Sequence, residues 1–190
     1  MMKSLFRRES THKMATWNSR GLRGSTLEES VNRTNELYKE NRLCLVQKIP
    51  TPITPIDIDK ATRHITLAYF DQKSTVDYIG VVQGVPVCFD AKECAGESFP
   101  LANIHPHQVE FMRDFERQDG VAFILIYFTS RDEIYYMRFT ELAVYWERME
   151  LGGRKSFRYD ELDPEYFLYP HSGILIPYLD GIARDLERRG

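Results

Sequence analysis

The strongest structural signal in the sequence is Val81-Val-Gln-Gly-Val-Pro-Val-Cys-Phe-Asp-Ala-Lys92. Two apolar, β-branched runs flank Gln83-Gly84, and a two-residue turn of this kind between such runs is typical of a β-hairpin. Successive side chains of a strand point to opposite faces, so Asp90 and Lys92 lie on the same face. The segment therefore predicts a hairpin whose second strand carries an acid and a lysine side by side.

A second acid precedes this hairpin in Thr75-Val-Asp-Tyr78, where Thr75 and Asp77 share a face for the same reason. An acid inside an apolar strand is costly to bury unless it holds a cation or a partner, and carboxylates are the ligands that magnesium prefers. Lys92 can then position an attacking water or neutralise charge that develops on a phosphate. These residues predict a metal-dependent nuclease site, with a surface salt bridge between Asp90 and Lys92 as the alternative.

The spacing alone is not specific, because the chain contains a second copy of it. Asp59 is followed twelve residues later by Asp71-Gln-Lys73. That copy lies in a polar stretch without apolar strand flanks, whereas Asp90-Ala-Lys92 ends an apolar strand after a hairpin turn. The context favours Asp90 as the site acid.

The remaining pattern predicts an α/β protein. We expect a helix over 25–41 that begins with the capping box Ser25-x-x-Glu28, a buried strand over 43–49, and a projecting hairpin at about 53–69 with a polar tip at 59–63. Further on we expect a helix from about His105, strands over 121–128 and 133–139, a helix that Thr140 caps and that runs through Met149, and a last helix over 178–189.

Basic residues are concentrated at the beginning of the chain. Residues 1–24 contain six lysines and arginines against one glutamate, a net charge of +5, while the rest carries −8. This contrast predicts a basic, flexible N-terminal arm over 1–24 and a single domain over 25–190. The overall net charge of −3 argues mildly against non-specific binding to a polyanion.

The sequence disfavours a membrane protein and a disulfide-stabilised secreted protein. No apolar run approaches the roughly 20 residues that span a bilayer, and no signal peptide is recognisable, so we expect a cytoplasmic protein. The cysteines, Cys44, Cys88 and Cys94, cannot all pair within one chain and fit reduced thiols. His105 and His107 with Cys94 form a weak zinc alternative.

Strings over about residues 20–180 resemble the RecU family of Holliday junction resolvases, dimeric nucleases of the PD-(D/E)XK superfamily found in Gram-positive bacteria and their phages. They include Arg23-Gly-Ser-Thr-Leu-Glu28, Lys48-Ile-Pro-Thr-Pro52, Ser74-Thr-Val-Asp-Tyr78, Phe89-Asp-Ala-Lys92 and Gly153-Arg-Lys-Ser156.

The resemblance implies an α/β, restriction-endonuclease-like fold with a mixed central sheet flanked by helices. It implies that the hairpin at 53–69 is a stalk that reaches into the junction centre between two subunits. The implied activity is Mg2+-dependent cleavage of four-way DNA junctions in recombination and repair, leaving 5′-phosphate ends, with Mn2+ as an alternative metal. The implied partners are branched DNA, a second copy of the chain, and recombination proteins.

Residue by residue, the resemblance implies a metal site and a DNA-binding set. The positions where the family binds magnesium are Thr75, Asp77, Asp90 and Gln108. Lys92 falls on the lysine that stabilises the transition state, and Glu28 matches a family glutamate on the first helix. The basic residues expected to contact DNA are Arg20, Arg23, Lys48, Lys60 and Arg63.

The chain departs from the family pattern in ways that keep other functions open. Asp90 stands where the family usually has glutamate, which shortens the ligand by one methylene. The stalk tip has no net charge, because Lys60 and Arg63 are offset by Asp57 and Asp59. The alternatives are a non-catalytic junction-binding or recombination-regulating protein of the same fold, and a related nuclease that acts on other DNA structures.

Overall fold

The computed structural model describes residues 26–50, 52–70 and 75–189. Its helices are α1 (Leu27–Glu40), α2 (Pro106–Glu116), α3 (Phe139–Glu150) and α4 (Tyr178–Arg189). Its strands are β1 (Cys44–Lys48), β2 (Ile53–Asp59), β3 (His64–Phe70), β4 (Tyr78–Val82), β5 (Val85–Cys94), β6 (Ser98–Pro100), β7 (Val121–Phe128), β8 (Glu133–Arg138), β9 (Ser156–Arg158) and β10 (Phe167–Leu168).

Six of the strands form one mixed sheet in the order β1-β4-β5-β7-β8-β10. β5 and β7 run parallel, and the other neighbouring pairs are antiparallel. β2 pairs with β3, and β6 pairs with β9, in two small separate sheets. All four helices pack against strands of the central sheet. The predicted α/β fold with a mixed central sheet, flanking helices and a projecting hairpin is therefore confirmed.

The hairpin predicted from the opening segment forms at the centre of this sheet. β4 and β5 pair from Tyr78 opposite Phe89 to Val82 opposite Val85. The connecting residues Gln83 and Gly84 have φ angles of 48° and 93°. Two successive positive φ values are the signature of a tight primed turn, whose twist matches that of the flanking strands. The two-residue turn therefore fixes the register of the strand that carries Asp90.

Aromatic rings cross one face of the sheet and form much of its core. They stack along neighbouring strands in the order Tyr78, Phe89, Phe123 and Tyr136, with ring centroids 4.7, 4.6 and 4.4 Å apart. Tyr178 of α4 packs against Phe89 at 5.2 Å. Each of these rings is fully buried, and burial of such large side chains dominates core energetics. Because Asp90 follows Phe89 in β5, its side chain points to the opposite face.

The beginning of α1 differs from the prediction by one residue. Thr26, not Ser25, is the N-cap: its hydroxyl accepts the Glu29 N–H at 3.3 Å, and the Glu29 carboxylate accepts the Thr26 N–H at 3.1 Å. The sequence contains two overlapping capping-box matches, and the second one forms. The predicted Ser25-x-x-Glu28 box is wrong, and Glu28 is left free to interact with a neighbouring strand.

The prediction of a buried strand over 43–49 is also wrong in its burial. Among the described residues β1 pairs with β4 alone and lies at the edge of the sheet; Cys44 is buried, whereas Leu45 is 56% exposed. In α3, Thr140 is not the cap as predicted. The helix begins at Phe139, and Arg138 occupies the N-cap position without a side-chain cap.

The hairpin formed by β2 and β3, called the stalk below, pairs with no other strand of the described chain. Its tip is ordered by Asp59, whose carboxylate accepts the Ala61 N–H at 2.8 Å and the Thr62 hydroxyl at 2.7 Å. Its large apolar side chains are exposed: Ile53, Ile56, Ile58, Ile65, Leu67 and Tyr69. The predicted division into an arm and a single domain stays a prediction, since the arm at 1–24 lies outside the described residues.

Two exclusions from the sequence can be compared with the structure. Within the described ranges, no helix is long and apolar enough to cross a membrane. Cys44, Cys88 and Cys94 are free and buried. The Cys94 thiol donates to the Gly96 carbonyl at 3.3 Å, while the rings of His105 and His107 stack on each other at 5.3 Å. The three residues of the zinc alternative thus have other neighbours.

Candidate active site

The pairing of β4 with β5 brings together Asp77, Asp90 and Lys92. Asp77 immediately precedes β4, and its neighbour Tyr78 pairs with Phe89, the neighbour of Asp90. The Lys92 Nζ lies 3.5 Å from the Asp90 Oδ2 and 3.9 Å from the Asp77 Oδ2. The acid and lysine of β5 and the upstream Asp77 therefore meet at one point. The sequence alone does not give their distance, because it depends on how β4 pairs with β5.

Backbone amides hold the two carboxylates in place. The Asp77 N–H donates to the Asp90 Oδ1 at 2.8 Å, and the Ala91 N–H donates to the Asp77 Oδ2 at 3.2 Å. Each acid is thus bonded to the main chain of the strand that carries the other. Side-chain geometry that is fixed in this way does not depend on flexible neighbours, which favours a preorganised site.

Asp90 is the member of this group whose ionised form is least favourable. Its side chain is fully buried, and in the described part of the chain its Oδ2 has no hydrogen-bond partner. Burial, and then the charge of Asp77, raise the pKa of Asp90 to about 7, although Lys92 opposes the shift. A buried carboxylate that is held by one long ion pair with Lys92 and lies beside a second carboxylate is the environment that a divalent cation would stabilise. The donor set therefore fits a metal ion.

The other two predicted ligands have no described contact with these carboxylates. Thr75 is partly buried two residues before Asp77. Gln108 is buried in the first turn of α2, where its Oε1 accepts the His105 N–H at 3.0 Å. Among residues 26–50, 52–70 and 75–189, no three His, Cys, Asp or Glu side chains come together as a metal-binding group. The spacing His105-x-x-Gln108 is that of a capping box, and this signal could have indicated the local role of Gln108.

Glu28 and Lys48 lie beside the site and pair with each other. The Lys48 Nζ bonds to the Glu28 Oε2, and both side chains are about half exposed. Lys48 is the last residue of β1 and pairs in register with Tyr78, while the next residue, Ile49, donates its N–H to the Asp77 carbonyl at 2.8 Å. Burial raises the pKa of Tyr78, with the charges of Glu28 and Asp77 adding to it. A predicted catalytic residue and a predicted DNA-binding residue thus form one ion pair next to Asp77.

The remaining predicted DNA-binding residues lie elsewhere. Lys60 and Arg63 are exposed at the tip of the stalk. Arg63 has a φ of 58° and donates its N–H to the Asp59 carbonyl at 2.8 Å. Arg20 and Arg23 lie outside the described residues. The stalk tip and the carboxylate group thus belong to different sheets.

Sequence reasoning missed one residue of this region, Glu93. Its Oε1 accepts the Leu27 N–H, the first backbone amide of α1, at 3.2 Å. Glu93 directly follows Lys92 in β5, but Leu27 and Glu93 are 66 positions apart. No local pattern connects a helix start with a strand so distant in the chain, so the contact was not predictable from spacing.

Asp77, just before β4, and Asp90 and Lys92 of β5 meet in a mixed α/β sheet, and this is the arrangement expected of nucleases of the acid-x-lysine class. This is the class that the sequence resembles. The family model for RecU, Recombination protein U, matches residues 22–184. The chain therefore belongs to the RecU family.

Individual relatives cover most of the chain. The Holliday junction resolvase RecU of Bacillus subtilis is 39% identical over 165 residues, which is 85% of this chain and 78% of that protein. The Holliday junction resolvase RecU of Leuconostoc mesenteroides is 43% identical over 172 residues, 88% of this chain and 83% of that protein. The solved Archaeoglobus fulgidus Hjc, a Holliday junction resolvase, has 11% identity and a TM-score of 0.34, over 59% of this chain and 74% of that one; this likeness is too slight to bear on fold or function.

Proposed function

We propose that this protein is a divalent-metal-dependent endonuclease that resolves four-way, or Holliday, DNA junctions during recombination and repair. The observation that carries the proposal is the meeting of Asp77, Asp90 and Lys92 at one point of the sheet, in a chain that belongs to the RecU family. Resolvases cut phosphodiester bonds, and hydrolysis by a metal-activated water needs no covalent enzyme intermediate.

Asp77 and Asp90 are the residues that hold the metal, which we take to be Mg2+, with Mn2+ as a substitute. The Asp90 Oδ2, which has no hydrogen bond in the described part of the chain, and the Asp77 carboxylate, whose side chain is 27% exposed, supply oxygen ligands. Thr75 and Gln108 are proposed as supporting ligands. When bound, the ion supplies Lewis acidity toward a phosphate oxygen and a nucleophilic water at neutral pH.

Lys92 supplies positive charge to the reacting phosphate. Its side chain is 20% exposed, so part of it can be reached from the solvent, from which DNA approaches. Charge that develops on the phosphate in the transition state is stabilised best by a group already fixed in position. The carboxylates of Asp77 and Asp90 hold its Nζ at the site.

Asp90, which stands where the family usually has glutamate, can serve as a metal ligand because β5 brings its carboxylate next to Asp77 and Lys92. The Asp77 N–H already bonds the Asp90 Oδ1 at 2.8 Å. The backbone amide holds the shorter aspartate side chain in a fixed position. Its distance to a bound metal ion would still differ from that of a glutamate. The substitution therefore bears on metal preference and rate.

Binding of branched DNA is assigned to the stalk and to the basic residues around the site. A two-stranded hairpin is marginally stable alone in water, and this one exposes six large apolar side chains. A homodimer that places two stalks at a junction centre would cover them. Lys48, Lys60 and Arg63, with Arg20 and Arg23 of the arm, would contact phosphates, and such contacts supply most non-specific affinity.

The test is cleavage of a labelled mobile four-way junction beside a linear duplex of equal length, in Mg2+ or in EDTA. We expect paired, symmetric nicks in the junction only, lost in EDTA and in Asp77→Ala protein. Asp114→Asn is the matched control, because Asp114 is an exposed acid paired with Arg117 on α2.

Three results would contradict the proposal. Cleavage retained by both Asp77→Ala and Lys92→Ala proteins would exclude this site. Tight junction binding without cleavage in Mg2+ or Mn2+ would indicate a non-catalytic junction-binding protein. Equal cleavage of the duplex would indicate a nuclease that acts on other DNA structures.

A further inference from the structure

We propose that Glu93 is a positioning residue for the nuclease: it holds the beginning of α1 against β5, the strand of Asp90 and Lys92, and thereby fixes Glu28, whose partner Lys48 precedes the residue that bonds the Asp77 backbone. The inference rests on the proposed function. It concerns a residue that the sequence resemblance did not mark, and it depends on a contact between two elements that are far apart in the chain.

The first observation is how the beginning of α1 satisfies its backbone donors. The first four N–H groups of a helix have no partner within the helix. The Thr26 hydroxyl accepts the Glu29 N–H, which is the usual capping bond. The Leu27 N–H instead donates to Glu93 Oε1 at 3.2 Å, across 66 positions of sequence. A carboxylate of β5 therefore completes the cap of α1, at the end of the helix where negative charge is favourable.

The second observation is the position of Glu93 within β5. It directly follows Lys92, whose Nζ contacts both Asp90 and Asp77. Successive strand residues point to opposite faces, so Lys92 faces the carboxylates while Glu93 faces α1. Lys92 thus contacts the carboxylates of the site on one face of β5, and Glu93 bonds the beginning of α1 on the other face.

The third observation is that the helix start is connected to the far side of the site. Glu28, the residue after Leu27, bonds to Lys48 at the end of β1. The residue after Lys48, Ile49, donates its N–H to the Asp77 carbonyl. Contacts therefore run from Glu93 through α1 and β1 to Asp77: β5 bonds Leu27, and β1 bonds the next residue, Glu28. Removal of the Glu93 carboxylate would break the bond between α1 and β5 and leave the bond between Glu28 and Lys48 of β1 in place.

The consequence is that Glu93 acts through Glu28 and not on the substrate itself. Residues that orient the groups around a metal typically change activity by about 10- to 100-fold when removed. Glu93→Ala should lower the single-turnover cleavage rate by about 10-fold or more while junction affinity, measured in Ca2+, changes less than about twofold. Glu93→Gln keeps an oxygen acceptor for the Leu27 N–H and should restore most of the rate.

The experiment is a double-mutant cycle in full-length protein with Glu28→Ala, Glu93→Ala and the double variant. Because Glu93 acts through Glu28, we expect the double variant to cut no more slowly than Glu28→Ala alone. Glu97→Gln is the matched control, since Glu97 lies four residues further on and pairs with the exposed Arg131. Amide hydrogen exchange at Leu27 reports the contact itself, and should quicken in Glu93→Ala but not in Glu93→Gln.

The outcomes separate this inference from the function on which it rests. Wild-type protein that does not cut junctions overturns the proposed function, and this inference with it. If the wild type cuts, then a Glu93→Ala rate equal to wild type, or rate losses that multiply in the double variant, overturns the positioning role alone. A Glu93→Gln protein as slow as Glu93→Ala would also overturn it, because the effect would then follow from the charge and not from the bond to Leu27.

Discussion

Two hairpins of the protein, the β4–β5 hairpin and the stalk, are rich in apolar residues and have opposite surroundings. The β4–β5 hairpin lies inside the six-stranded sheet, where Phe89 and Asp90 are fully buried. The stalk pairs only with itself in the described chain, and Leu67 on it is 55% exposed. The first hairpin gains its order from the core and can hold an unfavourable charge. The second has little core of its own, and its apolar surface is available to DNA or to another subunit.

The largest effect is expected at the buried acid. Asp90→Asn should reduce cleavage by at least about 10³-fold, since about 4 kcal/mol of transition-state stabilisation is at stake when a metal ligand is removed. Single-turnover cleavage of a four-way junction measures this, with Asp114→Asn as the control. Cleavage by Asp90→Asn at a rate near wild type would show that the β4–β5 hairpin is only structural.

A pair of core and stalk substitutions compares the stability contributions of the two hairpins. Phe89→Ala should lower the free energy of unfolding by about 3–5 kcal/mol, because it leaves a cavity in the stacked aromatic core. Leu67→Ala should change it by less than about 0.5 kcal/mol, as is usual for exposed positions. Denaturant titration of both variants is the measurement. A large decrease from Leu67→Ala would mean that the stalk is packed in solution, by a second subunit or by another element.

The buried acid should also cost stability when no metal is present. Burial raises the pKa of Asp90 from 3.8 to about 7, so the native state binds a proton that the unfolded state has released, and stability falls as the pH rises from about 4 through 7. In EDTA at pH 8, Asp90→Asn should therefore be more stable than wild type by about 1–3 kcal/mol.

Thermal unfolding at two pH values measures this effect. Each kcal/mol corresponds to about 2–4 °C for a chain of this length. The advantage of Asp90→Asn should shrink at pH 5, where the native wild-type Asp90 is protonated. If saturating Mg2+ leaves the order of melting temperatures unchanged, Asp90 is not a metal ligand.

The smallest effect is expected at the stalk tip. Replacement of Lys60 and Arg63 with alanine should weaken junction binding and lower the salt dependence of affinity by about one unit of slope for each phosphate that is no longer neutralised. The Asp57→Asn variant is a useful comparison because it removes a negative charge from the same hairpin. An unchanged slope in the double alanine variant would show that the tip does not contact phosphates.

Much of the fold was accessible from the sequence because its signals are local. The Gln83-Gly84 turn and the alternation around Asp90 predicted the central hairpin, and the periodicity over 178–189 predicted α4. The predictions that were wrong concern features that depend on neighbours in space. Leu43-Cys-Leu-Val is apolar enough for a buried strand, yet β1 lies at the sheet edge, and nothing in the strand itself records that it has one partner.

The candidate site shows the same division. Alternation predicted that Asp90 and Lys92 share a face, and the upstream acid Asp77 was grouped with them although its distance from Asp90 depends on strand register; the family resemblance added Gln108. The ion pair of Lys48 with Glu28 and the cap of α1 by Glu93 join segments that are 20 and 66 positions apart. Side-chain contacts over such separations have no periodic signature, so only the folded chain reveals them.

The two-residue turn between β4 and β5 also predicts which insertions evolution can accept. Strand side chains alternate with a period of two, so one residue added after Gln83 would move Asp90 and Lys92 to the aromatic face and bring Phe89 to theirs. An insertion in the stalk tip at 60–63 would merely lengthen an exposed loop. Length variation among related chains should therefore accumulate at the stalk and be absent from the Gln83-Gly84 turn, although both are short surface turns.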